Sequence, residues 1–115
     1  MIDIPEARFE ELVADALDTI PAALAKHMDN VVVLVEDRAV DPNLLGLYQG
    51  IPLTERAEYG VGGAMPDRIT IFRQPILRSC SSEAEVVEQV RITVVHEVAH
   101  HFGIDDDRLA ELGWA

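Results

Sequence analysis

The stretch from Ser81 to Gly103 constrains the fold most, because it predicts one long helix with a buried side. Ser81 or Ser82 is a suitable N-cap, acidic residues follow in the first turn, and Gly103 is suited to the helix end. The β-branched residues between positions 90 and 95 would also allow a strand. Helix is favoured because four valines recur at spacings of three and four and would share one face. These valines are Val87, Val90, Val94 and Val98.

Shorter helices are predicted at both ends of the chain. Residues 6–26 carry apolar side chains at helical spacing, with acids on the opposite face, so they predict an amphipathic helix that covers the core. Residues 107–112 predict a last short helix. The apolar positions of the first helix are Phe9, Leu12, Val13, Ala16, Leu17 and Ile20.

Three segments between these helices predict strands. Residues 31–35 form a continuous apolar run that is largely β-branched, typical of a buried strand, and residues 46–49 predict a short strand that ends at Gly50 and Pro52. Residues 68–73 alternate polar and apolar side chains, which predicts a half-exposed strand ended by Pro75. A glycine-rich loop precedes this third strand and contains Gly60, Gly62, Gly63 and Pro66.

Length and composition predict a single domain over residues 1–115. Hydrophobic residues make up 49% of the 115 positions, which is enough for a packed core. No apolar run reaches the ~18 residues needed to span a bilayer, and the acidic N-terminus lacks the features of a signal peptide. A lone cysteine, Cys80, excludes an internal disulfide and is expected to be a small apolar residue. We therefore expect a cytoplasmic protein with no membrane partner.

The formal charge is −12, from 21 acidic and 9 basic residues. A field of this sign repels polyanions, so DNA and RNA are not expected partners. The acids are expected to form a solvated surface, or else a cleft that attracts basic peptides.

The sequence His-Glu-Val-Ala-His begins at His96 and lies within the predicted long helix. Residues four apart on a helix lie about 40° apart around its axis, so His96 and His100 can bind one Zn²⁺ together. Glu97 would lie beside that ion without being a ligand. Its carboxylate could then accept the proton of a zinc-activated water that attacks a carbonyl group, so Glu97 is the predicted general base.

A third ligand is expected downstream of a glycine turn. Gly103 can adopt a positive φ and turn the chain so that Asp106 approaches the metal. Gly103 and Asp106 complete the pattern His-Glu-x-x-His-x-x-Gly-x-x-Asp, which is far rarer by chance than the five-residue motif. Asp105 and Asp107 remain alternatives, Glu111 is a weaker one, and the three aspartates could instead only cap the last helix.

Two further histidines have other interpretations. His101 follows a predicted ligand but points elsewhere, so it is expected to support the site from behind or to face solvent. His27 lies near the end of the first predicted helix, where a cation is favoured, and needs no metal to explain it.

Around the His-Glu-Val-Ala-His motif and the downstream Gly103 and Asp106, the chain resembles the zincins, and in particular the small bacterial metallopeptidase-like proteins called mini-zincins. The resemblance is centred on residues 93–113 and extends to residues 45–54 and 66–72. It implies an α+β fold, in which a mixed sheet of three or four strands packs on an N-terminal helix and a long active-site helix, with a short C-terminal helix. It also implies zinc as the metal, Asp106 as its third ligand, and an edge strand that binds an extended peptide by strand addition.

Residues 68–73 are the predicted peptide-binding edge strand, with residues 46–49 as the alternative. Tyr48, His101 and Arg68 are candidates for stabilising an oxyanion. Unlike larger metzincins, the chain has no methionine after the motif, and only nine residues follow Asp106. We therefore expect weak or narrow peptidase activity.

The predicted function is zinc-dependent peptide-bond hydrolysis. A non-catalytic, zinc-binding peptide-recognition module is the main alternative. A metal-dependent endoribonuclease is a further one, disfavoured by the negative charge and by the glutamate of the motif. Substrate and oligomeric state do not follow from the sequence.

Overall fold

The computed structural model describes residues 2–26, 28, 31–50, 67–104 and 106–111, with the backbone alone at 23, 24, 106, 109 and 110. The elements in chain order are α1 (Glu6–Leu17), α2 (Ala22–Ala25), β1 (Val31–Glu36), β2 (Gly46–Gln49), β3 (Asp67–Phe72), α3 (Arg73–Arg78), α4 (Glu83–His101) and α5 (Asp106–Glu111). The fold is α+β, as expected.

The three strands form a mixed sheet in the order β1-β3-β2. β1 pairs with β3 in parallel, and β2 pairs with β3 antiparallel, with Gly46 opposite Ile71 and Tyr48 opposite Ile69. α4 packs against β2 and β3 and also contacts α1. Side chains from α1, α3, α4 and the helix-facing side of β3 make most of the core, with Phe9, Ile69, Leu77, Val90 and Val94 fully buried.

The central position of β3 corrects two predictions. Five of its six residues are buried and only Arg68 is exposed, so residues 68–73 are not a half-exposed strand. β3 is also not an edge, because β1 and β2 are hydrogen-bonded to its two sides. Strand addition therefore cannot occur there. β2, the alternative, has its predicted bounds and is an edge strand within the described part of the chain.

β1 is less buried than its sequence predicts. Its residues alternate between half-buried and exposed, and Val32 and Leu34 are exposed on the face turned away from α4. A β-branched run is typical of a strand covered on both faces. Among the described residues, the long helix packs on one face of the sheet, and Val32 and Leu34 lie on the other face of β1.

The predicted helix over residues 6–26 is two helices in the structure. α1 ends at Leu17 and α2 begins at Ala22. Pro21 explains the interruption, because it has no N–H to donate and disfavours helical backbone at the residue before it. Ile20 is nevertheless buried, as predicted.

The prediction that Pro75 ends the third strand missed a helix. α3 begins at Arg73, directly after β3, and Pro75 lies in its first turn. Proline is tolerated there because the first N–H groups of a helix have no partner within the helix.

The long helix has nearly the predicted limits. The side chain of Ser82 accepts a hydrogen bond from the Glu85 N–H as its N-cap, and Gly103 follows the helix with a φ of 72°. The buried face differs by one residue, since Val86 is fully buried while Val87 is 45% exposed. No described helix has the length and apolar character needed to cross a membrane.

Candidate metal centre

The last turns of α4 bring together three of the predicted site residues. His96, Glu97 and His100 each offer a ligand atom, and these atoms lie within 4.8 Å of one another. The two imidazole rings are 4.5 Å apart between centroids and inclined at 65°. No other group of three or more such ligands occurs among the residues that the structure describes.

Glu97 is the buried member of this group. Its side chain is 7% exposed, whereas that of His100 is 44% exposed, so the carboxylate lies below an accessible imidazole. The Nδ1 atom of His100 lies 3.2 Å from the carboxylate Oε1 of Glu97. The site therefore combines an open side, toward solvent, with a shielded acid.

Burial raises the pKa of Glu97 above its ordinary value, and this effect is the largest one on the group. The neighbouring imidazoles of His100 and His96 act in the opposite direction, as does a backbone hydrogen bond from Tyr48. A carboxylate with a raised pKa is a stronger base at neutral pH than an exposed one. The environment of Glu97 thus suits the role of proton acceptor.

β2 contacts α4 closely beside Glu97. A Cβ atom added to Gly46 would lie 2.8 Å from Cγ2 of Thr93 and 3.2 Å from Oε2 of Glu97. The first distance is shorter than real Cβ contacts, so the strand approaches the helix this closely because residue 46 has no side chain.

The residues present fit a zinc ion. Imidazole nitrogens are favoured zinc ligands, and the partial exposure of His100 leaves access for an ion and a substrate. The predicted third ligand cannot be placed, because only the backbone of Asp106 is described and Asp105 lies outside the described residues. Asp107 is exposed, and Glu111 is exposed and paired with Arg108.

The three candidates for oxyanion stabilisation have different surroundings. The hydroxyl of Tyr48 donates to Oδ2 of Asp67 at 2.6 Å, and His101 is fully buried. Arg68 lies on the face of β3 opposite to Ile69 and thus turned away from α4. Of the other single residues, Cys80 is buried as expected, and His27 lies outside the described residues.

Sequence reasoning missed Asp67, which is buried at the start of β3 and within 2.8 Å of Nδ1 of His101. Its position in the strand pattern could have indicated this. Asp67 lies two residues before Ile69 and four before Ile71, so strand alternation places it on the face that packs against α4.

Comparison with known proteins identifies relatives of the whole arrangement. A sequence profile of the zincin-like metallopeptidases matches residues 28–114. A solved structure, a conserved hypothetical protein from Thermus thermophilus, superposes with a TM-score of 0.59 at 23% identity. The superposition covers 94% of this chain and 99% of that chain, which supports the fold. Among curated proteins, no sequence matches.

Proposed function

The chain belongs to the zincin-like metallopeptidase family, and on that basis we propose that it is a zinc-dependent peptidase with Glu97 as general base. The observation that carries the proposal is the convergence of His96, Glu97 and His100 within 4.8 Å on one helix. His96 and His100 would hold the ion, with Asp106 as the proposed third ligand. Zinc, when bound, would supply Lewis-acid activation of water and of the peptide carbonyl.

Glu97 would accept the proton of the attacking water and pass it to the leaving amine. Its burial, the Tyr48 backbone hydrogen bond and the contact with His100 hold the carboxylate beside the two imidazoles. A base fixed in this way needs little rearrangement before the proton transfer.

An extended peptide is the proposed substrate, bound along β2. This strand is an edge within the described residues, and it lies against α4 beside Glu97. Strand addition at β2 would bring a peptide carbonyl near the imidazoles, whereas β3 has no edge to offer.

We expect Glu97→Gln to lower peptide turnover by about 10²–10⁴-fold, because the variant keeps the side-chain shape but cannot accept a proton. Zinc-loaded wild type and variant would be compared on a peptide library by mass spectrometry, with zinc content measured in both. Glu88→Gln is the matched control, since Glu88 lies on the same helix but is exposed and paired with Arg91.

Equal cleavage by wild type and Glu97→Gln, or no cleavage by zinc-loaded wild type, would contradict the peptidase proposal. Stable peptide capture without cleavage would then favour the zinc-binding recognition module. RNA cleavage that survives Glu97→Gln would favour the endoribonuclease.

A further inference from the structure

Three polar side chains form a buried hydrogen-bonded group below the candidate metal centre. Oδ2 of Asp67 accepts from the hydroxyl of Tyr48 at 2.6 Å and lies 2.8 Å from Nδ1 of His101. If the carboxylate of Asp67 is ionised it can only accept, and Nδ1 of His101 is then the donor in this contact. The group joins β2, β3 and the C-terminal end of α4.

The group is shielded from water. Asp67 is 2% exposed and His101 is 0% exposed. A Cβ atom on Gly50 would lie 2.5 Å from Oδ1 of Asp67, so the backbone at the end of β2 covers the carboxylate directly. Buried polar pairs of this kind contribute little net stability compared with apolar packing, so fold stability alone is a weak reason for this group.

Tyr48 connects the group to the candidate metal centre. Its ring makes edge contacts with His100 and His101, with centroids 6.5 Å and 6.0 Å away. Its backbone also forms the hydrogen bond to Glu97. One residue therefore touches a proposed ligand and the proposed base, while its hydroxyl is held by Asp67.

β2 presents this contact by simple alternation. Gly46 and Tyr48 share the face that packs against α4, because strand neighbours two apart point the same way, and Gly50 follows directly after the strand. Gly46 approaches Glu97, Tyr48 approaches His100, and Gly50 covers Asp67. A shift of Tyr48 would therefore move the strand relative to both catalytic-site side chains.

We infer that Tyr48, Asp67 and His101 are positioning residues, which fix β2 against α4 and so hold the side chains of Glu97 and His100 in place, while the helix itself sets their backbone positions. The inference rests on the proposed function. It predicts that loss of the hydrogen bonds loosens the metal centre even where the helix and the sheet stay folded.

The test is the zinc affinity of full-length variants, measured by competition with a chromophoric chelator, together with the visible spectrum of the Co²⁺-loaded proteins. Asp67→Asn removes the charged acceptor, Tyr48→Phe removes one hydroxyl, and His101→Gln removes the imidazole. We expect Asp67→Asn to weaken zinc binding about tenfold and to alter the Co²⁺ spectrum, since supporting residues set ligand geometry. Tyr48→Phe should give a smaller change of the same kind.

Val86→Ala is the control for a general loss of stability. Val86 is fully buried, but it lies fourteen residues before His100, about 21 Å away along the helix. We expect Val86→Ala to lower the melting temperature and to leave the zinc affinity and the Co²⁺ spectrum unchanged. If Asp67→Asn does not fold, Tyr48→Phe still tests the inference, because it removes a hydrogen bond of the same group.

The outcomes separate this inference from the proposed function. Wild type that binds no zinc would overturn both, whereas wild type that binds zinc but cleaves no peptide would overturn the peptidase alone. Wild-type zinc affinity and Co²⁺ spectra in Tyr48→Phe and in folded Asp67→Asn and His101→Gln would overturn the positioning role.

Discussion

Gly46 lies where β2 crosses α4, and its lack of a side chain sets the distance between the strand and Glu97. We expect Gly46→Ala to destabilise the fold by about 1–3 kcal/mol, because the added methyl group would overlap Cγ2 of Thr93. Peptide turnover should fall as well, since Glu97 lies against the same position. Urea unfolding and peptide cleavage measure the two effects.

Thr93→Ser provides a rescue control for Gly46→Ala. It removes the clashing Cγ2 atom and keeps the hydroxyl that donates to the Gln89 carbonyl. The double variant should recover part of the lost stability. If Gly46→Ala alone had the stability and turnover of the wild type, the close approach of residue 46 to Thr93 would not contribute to either.

Single substitutions test which aspartate is the third zinc ligand. We expect Asp106→Ala to lower zinc affinity by at least tenfold, because the proposed carboxylate ligand would be lost. Asp105→Ala and Asp107→Ala test the two alternative ligands and are expected to change the zinc affinity less than Asp106→Ala does. Zinc titration of the three variants measures this, and a loss confined to Asp105→Ala or Asp107→Ala would reassign the ligand.

At the scale of elements, one side of α4 is buried in the core and another side carries the candidate metal ligands. From the sequence, the buried face of the helix could begin at Val86 or at Val87. In the structure Val86 is buried and Val87 is exposed. Val86 lies four residues before Val90, and the series 86, 90, 94 and 98 is fully buried. The same rotation buries Glu97 and leaves His100 accessible.

We expect Val86→Ala to lower the free energy of unfolding by about 2 kcal/mol, because it leaves a gap in the core. Val87→Ala should change it by less than about 0.5 kcal/mol, since the side chain is 45% exposed. Chemical denaturation of both variants measures the difference. Equal losses at the two positions would contradict the observed rotation of α4.

At the scale of the whole molecule, metal binding should be coupled to folding. The proposed ligands are brought together by α4 and what packs on it, so zinc should bind the folded state in preference to the unfolded chain. At a free zinc concentration 100 times the dissociation constant, the stabilisation is about 2.7 kcal/mol. For a domain of this size, that corresponds to a rise in melting temperature of roughly 10 °C.

Differential scanning calorimetry with and without a chelator measures this rise. His96→Ala should remove it, and Mg²⁺, which prefers oxygen ligands, should not produce it in wild type. An equal shift with zinc in His96→Ala would place the binding site elsewhere.

The sequence by itself determined the features that depend on local geometry. The limits of α4, the turn at Gly103 and the convergence of His96, Glu97 and His100 follow from helical spacing, capping and backbone preference within a few residues. The bounds of β2 were also predictable, because a glycine and a proline end its short apolar run. These signals act between neighbours in the chain and need no knowledge of the rest of the fold.

Only the tertiary structure decided which surfaces face one another. It made β3 central rather than an edge, exposed one face of β1, and joined Tyr48, Asp67 and His101 from three elements. An alternating strand has the same sequence pattern whether a neighbour covers its edge or not. The partners of a buried carboxylate likewise come from residues 19 and 34 positions away, and their approach depends on how α4 packs against the sheet.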